Sequence, residues 1–285
     1  MDSMFHKFSV ILSSFNRPVM IKEAINSIWN QDYVGRIELI IMDDNSNSET
    51  INNIKSKLAV NGFDIDYNLS INIEKGSCYT GNNSLRPNMF VKFFISNVED
   101  QDRKDKCRYA YLINLALTYL VTGDVVCYLT DDSVYRHNKF SILNEIFQDT
   151  KINATYDEMV MYDVKIFNNC VIRKSTYKPF NSDVGKAIPY KKERLFAENY
   201  IDHITLSHRY NCVSPVTEKY KSIWDDNKSA WIHSDWIFWK RLAEFYEFIP
   251  VPVLLSEKWM HDKCVQKMCN SGGLTQNINR EELRE

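Results

Sequence analysis

The chain has 285 residues, 44% of them hydrophobic and 25% charged, so it can bury a substantial core and has an ordinary globular composition. Its net charge of −2 gives no overall field that would favour nucleic acid or an anionic membrane. Seven irregularly spaced cysteines without a CxxC pair indicate neither a disulfide framework nor a zinc site, and we expect a reducing, cytoplasmic setting.

Targeting signals are not expected in this sequence. Residues 1–7 lead straight into a strand and do not have the form of a signal peptide. The longest apolar stretch, residues 109–129, is interrupted by polar residues and is unlike a membrane span. Residues 263–285 predict a polar C-terminal tail.

The first 60 residues alternate between two kinds of apolar pattern. Continuous apolar runs predict buried strands at 8–14 and 37–42, and helical spacing predicts helices from Pro18 to Trp29 and over 48–60. Asn16 lies near the expected cap of the first helix. Strand, helix, strand, helix in this order predicts a parallel sheet with right-handed crossovers.

The rest of the chain continues the alternation more weakly. Two further helices are predicted at 106–120 and 138–148, and a third opens at His233 with Ser234 and Asp235 at its cap. Pro250 and Pro252 predict that the last strand is an edge strand. The other predicted strands cover 90–95, 124–130, 158–166, 169–174, 203–208 and 251–255.

Acidic pairs follow two of the predicted strands. Asp43 and Asp44 end the second strand, and Asp131 and Asp132 follow the strand at 124–130. In a parallel sheet both pairs lie at the carboxyl edge, where open α/β folds bind ligands. Carboxylates there can hold a divalent cation, which in turn can hold a diphosphate. An Asp-Asp-Ser turn that caps the next helix is the alternative reading of the second pair.

Six stretches, in order, resemble family 2 glycosyltransferases of the GT-A fold. They are FSVILSSFN (8–16), IMDDNSN (41–47), RYAYLIN (108–114), TDD (130–132), IDH with HRY (201–203 and 208–210) and SDWIFW (234–239), and they span most of residues 7–260. The resemblance implies an α/β fold whose mainly parallel central sheet is flanked by helices, with a smaller acceptor-side sheet. It implies one domain, with a nucleotide-sugar half at 7–133 and an acceptor half at 134–262.

The resemblance also implies roles for individual residues. Ser13 and Phe15 resemble the nucleoside-binding loop, in which Phe15 stacks on the base where the family often has Tyr. Asp44 resembles the acid that contacts the pyrimidine or its ribose, and Asp131 the acid at the ribose or sugar. The basic and amide residues implied at the nucleotide-sugar are Arg103, Arg108 and Asn114.

The catalytic residues implied by the resemblance are two acids. Asp132 resembles the direct ligand of Mg²⁺ or Mn²⁺, and Asp235 resembles the base that takes the proton of an acceptor hydroxyl. A single displacement of this kind inverts the anomeric centre and needs no carboxylate nucleophile. A helix cap is the alternative reading of Asp235.

The acceptor side is less well defined by the sequence. Asp202, His203 and Trp231 are candidates for it, although a buried, hydrogen-bonded pair is the alternative reading of Asp202 and His203. Relative to the family, residues 69–89 look like an insertion, and the basic stretch from Lys186 to Arg194 lies where a mobile lid is expected.

The sequence therefore predicts a cytoplasmic, Mg²⁺- or Mn²⁺-dependent inverting glycosyltransferase. The expected donor is a UDP- or dTDP-sugar, and the expected acceptor is a hydroxyl of a surface or spore glycan precursor. A transferase acting on a modified base in phage DNA is an alternative, although the near-neutral charge disfavours it. A non-catalytic nucleotide-sugar-binding protein is a second alternative.

Overall fold

A computed structural model describes residues 5–99, 104–178, 182–262 and 264. Arg103 and nearly all of the predicted tail at 263–285 lie outside the described residues. The strands are β1 Phe8–Ser14, β2 Ile37–Asp43, β3 Phe63–Ile65, β4 Ile71–Asn72, β5 Gly76–Asn83, β6 Met89–Ser96, β7 Val125–Thr130, β8 Ser133–Tyr135, β9 Ala154–Phe167, β10 Cys170–Thr176, β11 Leu206–Arg209 and β12 Phe248–Met260. The α-helices are α1 Met20–Trp29, α2 Ser48–Val60, α3 Arg108–Leu115, α4 Lys139–Phe147, α5 Lys192–Ala197, α6 Val213–Tyr220 and α7 Ser234–Ala243.

The centre of the fold is a parallel sheet in the order β6-β2-β1-β7, which confirms the α/β prediction. Alternate residues of these strands enter two separate cores, one on each face of the sheet. Ile11 and Tyr128 face one core, whereas Leu12 and Leu129 face the other. Burial on both faces explains why these strands are continuous apolar runs instead of alternating ones.

Strands from the second half of the chain continue this sheet. β11 pairs antiparallel with β7, and β9, β12 and β8 follow it in that order. The predicted edge position holds for residues 251–254, for which β9 is the one paired strand among the described residues, whereas β12 has β8 as a second neighbour at 256–258. Pro252 falls where the β12–β9 register shifts between Val251 and Leu254, so its missing N–H breaks no regular ladder.

Two predicted caps also differ from the structure. Asn16 has a left-handed φ of 51° and its side-chain oxygen accepts the backbone N–H of Asn47, while Val19 is the N-cap of α1. His233 is the N-cap of α7, so Ser234 and Asp235 are its first helical residues. The predicted helix at 106–120 is α3 followed by a π-helical turn at Ala116–Leu120. None of the helices in the described ranges has the length and apolar character that a membrane crossing requires.

Candidate functional site

The carboxyl ends of β1, β2 and β7 meet at one point of the sheet edge. Ser13 lies opposite Met42 on one side and Thr130 on the other. Beyond the strands, the N–H of Asp44 donates to the carbonyl of Ser14 at 3.0 Å, and the N–H of Asp131 donates to the carbonyl of Ser13 at 3.2 Å. The parallel register therefore places both acidic pairs beside the end of β1.

Asp44 is held by Arg108 at the first residue of α3. Nε and Nη2 of Arg108 donate to Asp44 Oδ1 at 2.9 and 2.8 Å, and Nη2 also donates to Ser96 Oγ at 3.2 Å. Asp43 has a different environment, since its carboxylate accepts from the backbone and hydroxyl of Ser46 at 2.8 and 2.6 Å. Burial raises the pKa of Asp43 to about 6. Asp43 thus closes the turn, and Asp44 faces the basic side chain.

Asp131 and Asp132 share one cation, Arg17. Arg17 Nη1 donates to Asp131 Oδ1 and lies 3.3 Å from Asp132 Oδ2. Asp131 Oδ2 accepts the backbone N–H of Phe15 at 2.8 Å. Burial raises the pKa of Asp131, although Arg17 opposes the shift. The loop after β1 is therefore tied to the loop after β7 by both backbone and side chain.

Asp132 is further enclosed by the end of β12. Its Oδ1 accepts from Thr130 Oγ1 at 2.6 Å, its carbonyl accepts the N–H of Trp259 at 2.9 Å, and His261 Nε2 lies 3.4 Å from its Oδ2. Burial alone would raise the pKa of Asp132, but Arg17, His261 and Lys258 outweigh it and hold that pKa below its ordinary value. Asp132 is accordingly anionic at neutral pH.

Lys258 of β12 joins the donor-side acids to Asp202. Its Nζ lies 2.7 Å from Asp202 Oδ2, and it faces Ser133 in the β12–β8 register. Burial would lower the pKa of Lys258, but Asp202 and Asp132 are among the groups that raise it above its ordinary value. The lysine is therefore a charged ammonium group between two carboxylates.

Asp235 lies in the first turn of α7 and is half-buried. Its Oδ1 accepts the N–H of Trp236 at 2.7 Å. Burial raises the pKa of Asp235 to about 7, the negative charge of Asp202 adds to the shift, and Lys258 opposes it. A carboxylate with this pKa can both accept and release a proton near neutrality, which is the property of a general base.

Two other residues that were predicted to lie in the site, His203 and Asn114, have side chains that contact other parts of the protein. His203 is buried against the rings of Tyr109, Tyr128 and Trp224, and burial lowers its pKa to about 4, so its imidazole is neutral. Asn114 donates to the carbonyl of Trp224 at 3.0 Å and accepts its N–H at 2.9 Å. Its carboxamide thus holds the loop that precedes α7, and the contact of Asn114 with a nucleotide-sugar stays a prediction.

The structure brings together the remaining predicted residues to different degrees. Ser13 and Phe15 lie with Asp44, Arg108, Asp131 and Asp132 at the sheet edge. Trp231 is half-buried and packs against the core that holds the apolar side chains of α7. Arg103 lies outside the described residues.

Three basic or histidine residues of this site were missed by the sequence reasoning. Arg17 lies in the loop that follows β1, so its position near the carboxyl end of that strand could have been inferred from the sequence. Lys258 and His261 follow Asp132 by more than 120 residues and reach it only through the β12–β8 pairing. Among the described residues no group of three or more His, Cys, Asp or Glu side chains is arranged to hold a metal ion.

The basic stretch at 186–194 is partly neutralised and packed. Arg194 pairs with Asp183 and Glu198, and Lys186 lies 3.7 Å from Asp183. Trp236 Nε1 donates to the carbonyl of Leu195 at 2.6 Å, so α5 is docked beside the helix that carries Asp235. The segment therefore borders the candidate acceptor side, and Lys186 and Arg194 of its basic residues are paired with acids.

Comparisons with known proteins show which family this chain resembles. Residues 9–68 match glycosyl transferase family 2. The chain is 29% identical over 253 residues to "Protein CgeD" of Bacillus subtilis, covering 88% of this chain and 50% of that protein. It is 35% identical over 96 residues to a Campylobacter jejuni protein named "GalNAc(5)-diNAcBac-PP-undecaprenol beta-1,3-glucosyltransferase", covering 34% of this chain and 30% of that protein. The chain thus spans half or less of the length of these relatives.

Solved structures show the same fold. The structure of S. aureus TarS 1–349 in complex with UDP-GlcNAc has a TM-score of 0.58 and 14% identity, covering 97% of this chain and 63% of that one. The structure of TarS 1–349 without a named ligand has a TM-score of 0.54 and 14% identity, covering 89% and 60%. At this identity the likeness concerns the GT-A fold alone.

Proposed function

We propose that this chain, which belongs to glycosyl transferase family 2 and has the GT-A fold, transfers a sugar from a UDP- or dTDP-sugar to a glycan hydroxyl with inversion. The observation that carries the proposal is the meeting of Asp44, Asp131 and Asp132 at one sheet edge, together with the Lys258–Asp202 ion pair, whose charges both act on the pKa of Asp235. A nucleotide site and a proton acceptor then border the same space.

The donor's nucleoside would bind at the end of β1. Asp44 and Arg108 supply an acceptor and a donor side by side, and the half-buried ring of Phe15 offers a stacking surface. Asp131, fixed by Phe15 and Arg17, would face the ribose or the sugar. The named ligand of the TarS structure makes UDP-sugars the first donors to test.

The residues present fit a divalent cation at Asp132. The anionic Asp132 carboxylate and the His261 imidazole, 3.4 Å apart, offer oxygen and nitrogen ligands of the kind that Mn²⁺ accepts, and Mg²⁺ accepts the oxygen. When bound, the ion would supply positive charge to the departing diphosphate. Arg17 already neutralises both acids in this structure, so ion and guanidinium would compete for Asp132.

Asp235 would act as the general base. Its carboxylate takes the proton of the acceptor hydroxyl while that oxygen forms a bond to the anomeric carbon. The bond from the anomeric carbon to the diphosphate oxygen breaks on the opposite face, and the nucleoside diphosphate leaves with the bonding electrons. Asp202 forms an ion pair with Lys258 and is available to orient the acceptor.

The acceptor is proposed to be a glycan hydroxyl, in keeping with the name of the Campylobacter relative. The alternative acceptor, a modified base in DNA, would need an extended basic surface for phosphates. Arg194 and Lys186 are instead paired with Asp183 and Glu198, and the net charge is −2. These pairs favour the glycan.

A turnover assay tests the proposal. Wild-type protein with Mn²⁺ and a panel of UDP- and dTDP-sugars is expected to release nucleoside diphosphate when a glycan acceptor is present. Asp235→Asn should abolish release and keep UDP affinity, whereas Asp64→Asn, an exposed acid on β3, serves as the matched control. Nucleotide binding without turnover in the wild type, over the whole panel, would favour the non-catalytic binding protein.

A further inference from the structure

The hairpin of β4 and β5 reaches the sheet edge that carries Asp44. Gly76 lies opposite Ser96 in the β5–β6 register. The Lys75 carbonyl accepts the N–H of Asn97 at 2.9 Å and the hydroxyl of Ser96 at 3.4 Å. A Cβ on Gly76 would lie 2.2 Å from the Phe94 ring, so the close approach requires glycine. The turn of the hairpin is therefore fixed beside the end of β6.

Glu74, in this turn, connects the hairpin to the helix that follows β6. It has a left-handed φ of 41°, and its carboxylate accepts the hydroxyls of Tyr111 and Tyr119 at 2.8 and 3.1 Å. Tyr111 belongs to α3 and Tyr119 to the π-helical turn. The two hydroxyls thus attach the helix to the hairpin at points about two turns apart.

Tyr111 extends this connection to the nucleoside site. The Arg108 guanidinium lies 4.9 Å from the centre of the Tyr111 ring, a cation–π distance. The same guanidinium donates to Ser96 Oγ, which the Lys75 carbonyl also contacts, and to Asp44. The hairpin therefore contacts Arg108 by two routes, through the Tyr111 ring and through the Ser96 hydroxyl.

We propose that this hairpin positions Arg108 against Asp44 and thereby sets a preference for a uracil or thymine base, an inference that rests on the proposed function. The imide edge of these bases presents an N–H between two carbonyl oxygens. A carboxylate beside a guanidinium matches that order of donor and acceptors. Cytosine presents a ring acceptor and an amino donor instead, so the same pair discriminates against it. Tyr111 and Glu74 are positioning residues in this scheme.

The test is calorimetric binding of UDP and CDP, each with Mn²⁺, to wild-type protein and three variants. Tyr111→Leu removes both the ring and the bond to Glu74, Tyr111→Phe removes the bond alone, and Tyr119→Phe removes the other hydroxyl of the same carboxylate without touching Arg108. A melting curve without ligand establishes that each variant is folded.

Tyr111→Leu is expected to weaken UDP binding about fivefold, the change in affinity that corresponds to the loss of one cation–π contact. The variant should also have a lower ratio of UDP affinity to CDP affinity than the wild type. Tyr111→Phe should have a smaller effect on both, and Tyr119→Phe should stay within about twofold of wild type. A folded Tyr111→Leu protein with unchanged affinities would overturn the inference and leave the proposed function intact. A wild type that binds neither nucleotide would refute the proposed function itself.

Discussion

The ammonium group of Lys258 lies 2.7 Å from Asp202 Oδ2, and this ion pair sets the charge around Asp235. β12 brings the lysine to the site, whereas Asp202 comes from the loop before β11. Asp202 raises the pKa of Asp235 and Lys258 lowers it, so the pair as a whole acts as a nearly neutral neighbour. Burial is left as the main reason why Asp235 titrates near neutrality.

The pH dependence of turnover is the first prediction. Because Asp235 must be ionised to accept a proton and its pKa is about 7, kcat/KM should rise with pH up to an apparent pKa near that value. Asp235→Asn should lose roughly 10²- to 10⁴-fold in kcat at pH 8 and bind UDP as tightly as wild type. Initial rates from pH 5.5 to 9 and UDP calorimetry measure both. A pH-independent wild-type rate would contradict the assignment.

Substitutions in the ion pair should move this profile in opposite directions. Lys258→Met removes a positive charge and leaves Asp202 unpaired, so the acid limb should shift to higher pH. Asp202→Asn removes a negative charge and leaves Lys258 unpaired, so the limb should shift to lower pH. Each shift is expected to be about one unit, the ordinary size of a single-charge effect. Shifts in the same direction for both variants would show that they act through structure and not through charge.

Stability should also depend on Asp235. Its pKa is higher in the folded state than in the unfolded chain, where it is near 3.8, so the folded state binds more protons and stability falls as pH rises from about 4 to about 7. Asp235→Asn removes this loss. The free energy of unfolding of the variant, relative to wild type, should therefore increase by roughly 1–3 kcal/mol between pH 5 and pH 8. Urea unfolding at both values measures it, and an unchanged difference would mean that Asp235 is solvated.

The sequence allowed the central sheet to be predicted because its strands are buried on both faces. Continuous apolar runs such as Val125–Thr130 are typical of strands that are buried on both faces. An acid directly after such a run must lie at the sheet edge. The prolines correctly indicate the edge segment of β12, but the sequence does not reveal that residues 256–258 of the same strand pair with β8. The contributions of Lys258 and His261 depend on that pairing, so local patterns could not predict them.

His261 is predicted to support metal binding. Replacing it with Gln removes an imidazole that lies 3.4 Å from Asp132, and the Mn²⁺ concentration needed for half-maximal activity should rise about tenfold. His137→Gln is the matched control, because His137 is exposed and its backbone carbonyl makes the contact with Asp32. Equal Mn²⁺ dependence in the two variants would remove His261 from the metal site.

Arg17 is predicted to compete with the metal ion. Arg17→Met leaves Asp131 and Asp132 buried without their shared cation, and breaking such a pair typically costs about 3–5 kcal/mol. The variant should melt at a lower temperature than wild type in EDTA. Mn²⁺ without nucleotide should then raise its melting temperature more than it raises that of wild type, because the ion no longer displaces a guanidinium. Thermal melts with EDTA and with Mn²⁺ measure the two effects, and Arg36→Met, at the opposite edge of the sheet, is the control. If the variant is destabilised but gains no more from Mn²⁺ than the wild type, then Arg17 is a purely structural partner of the two acids and the ion does not bind at Asp132.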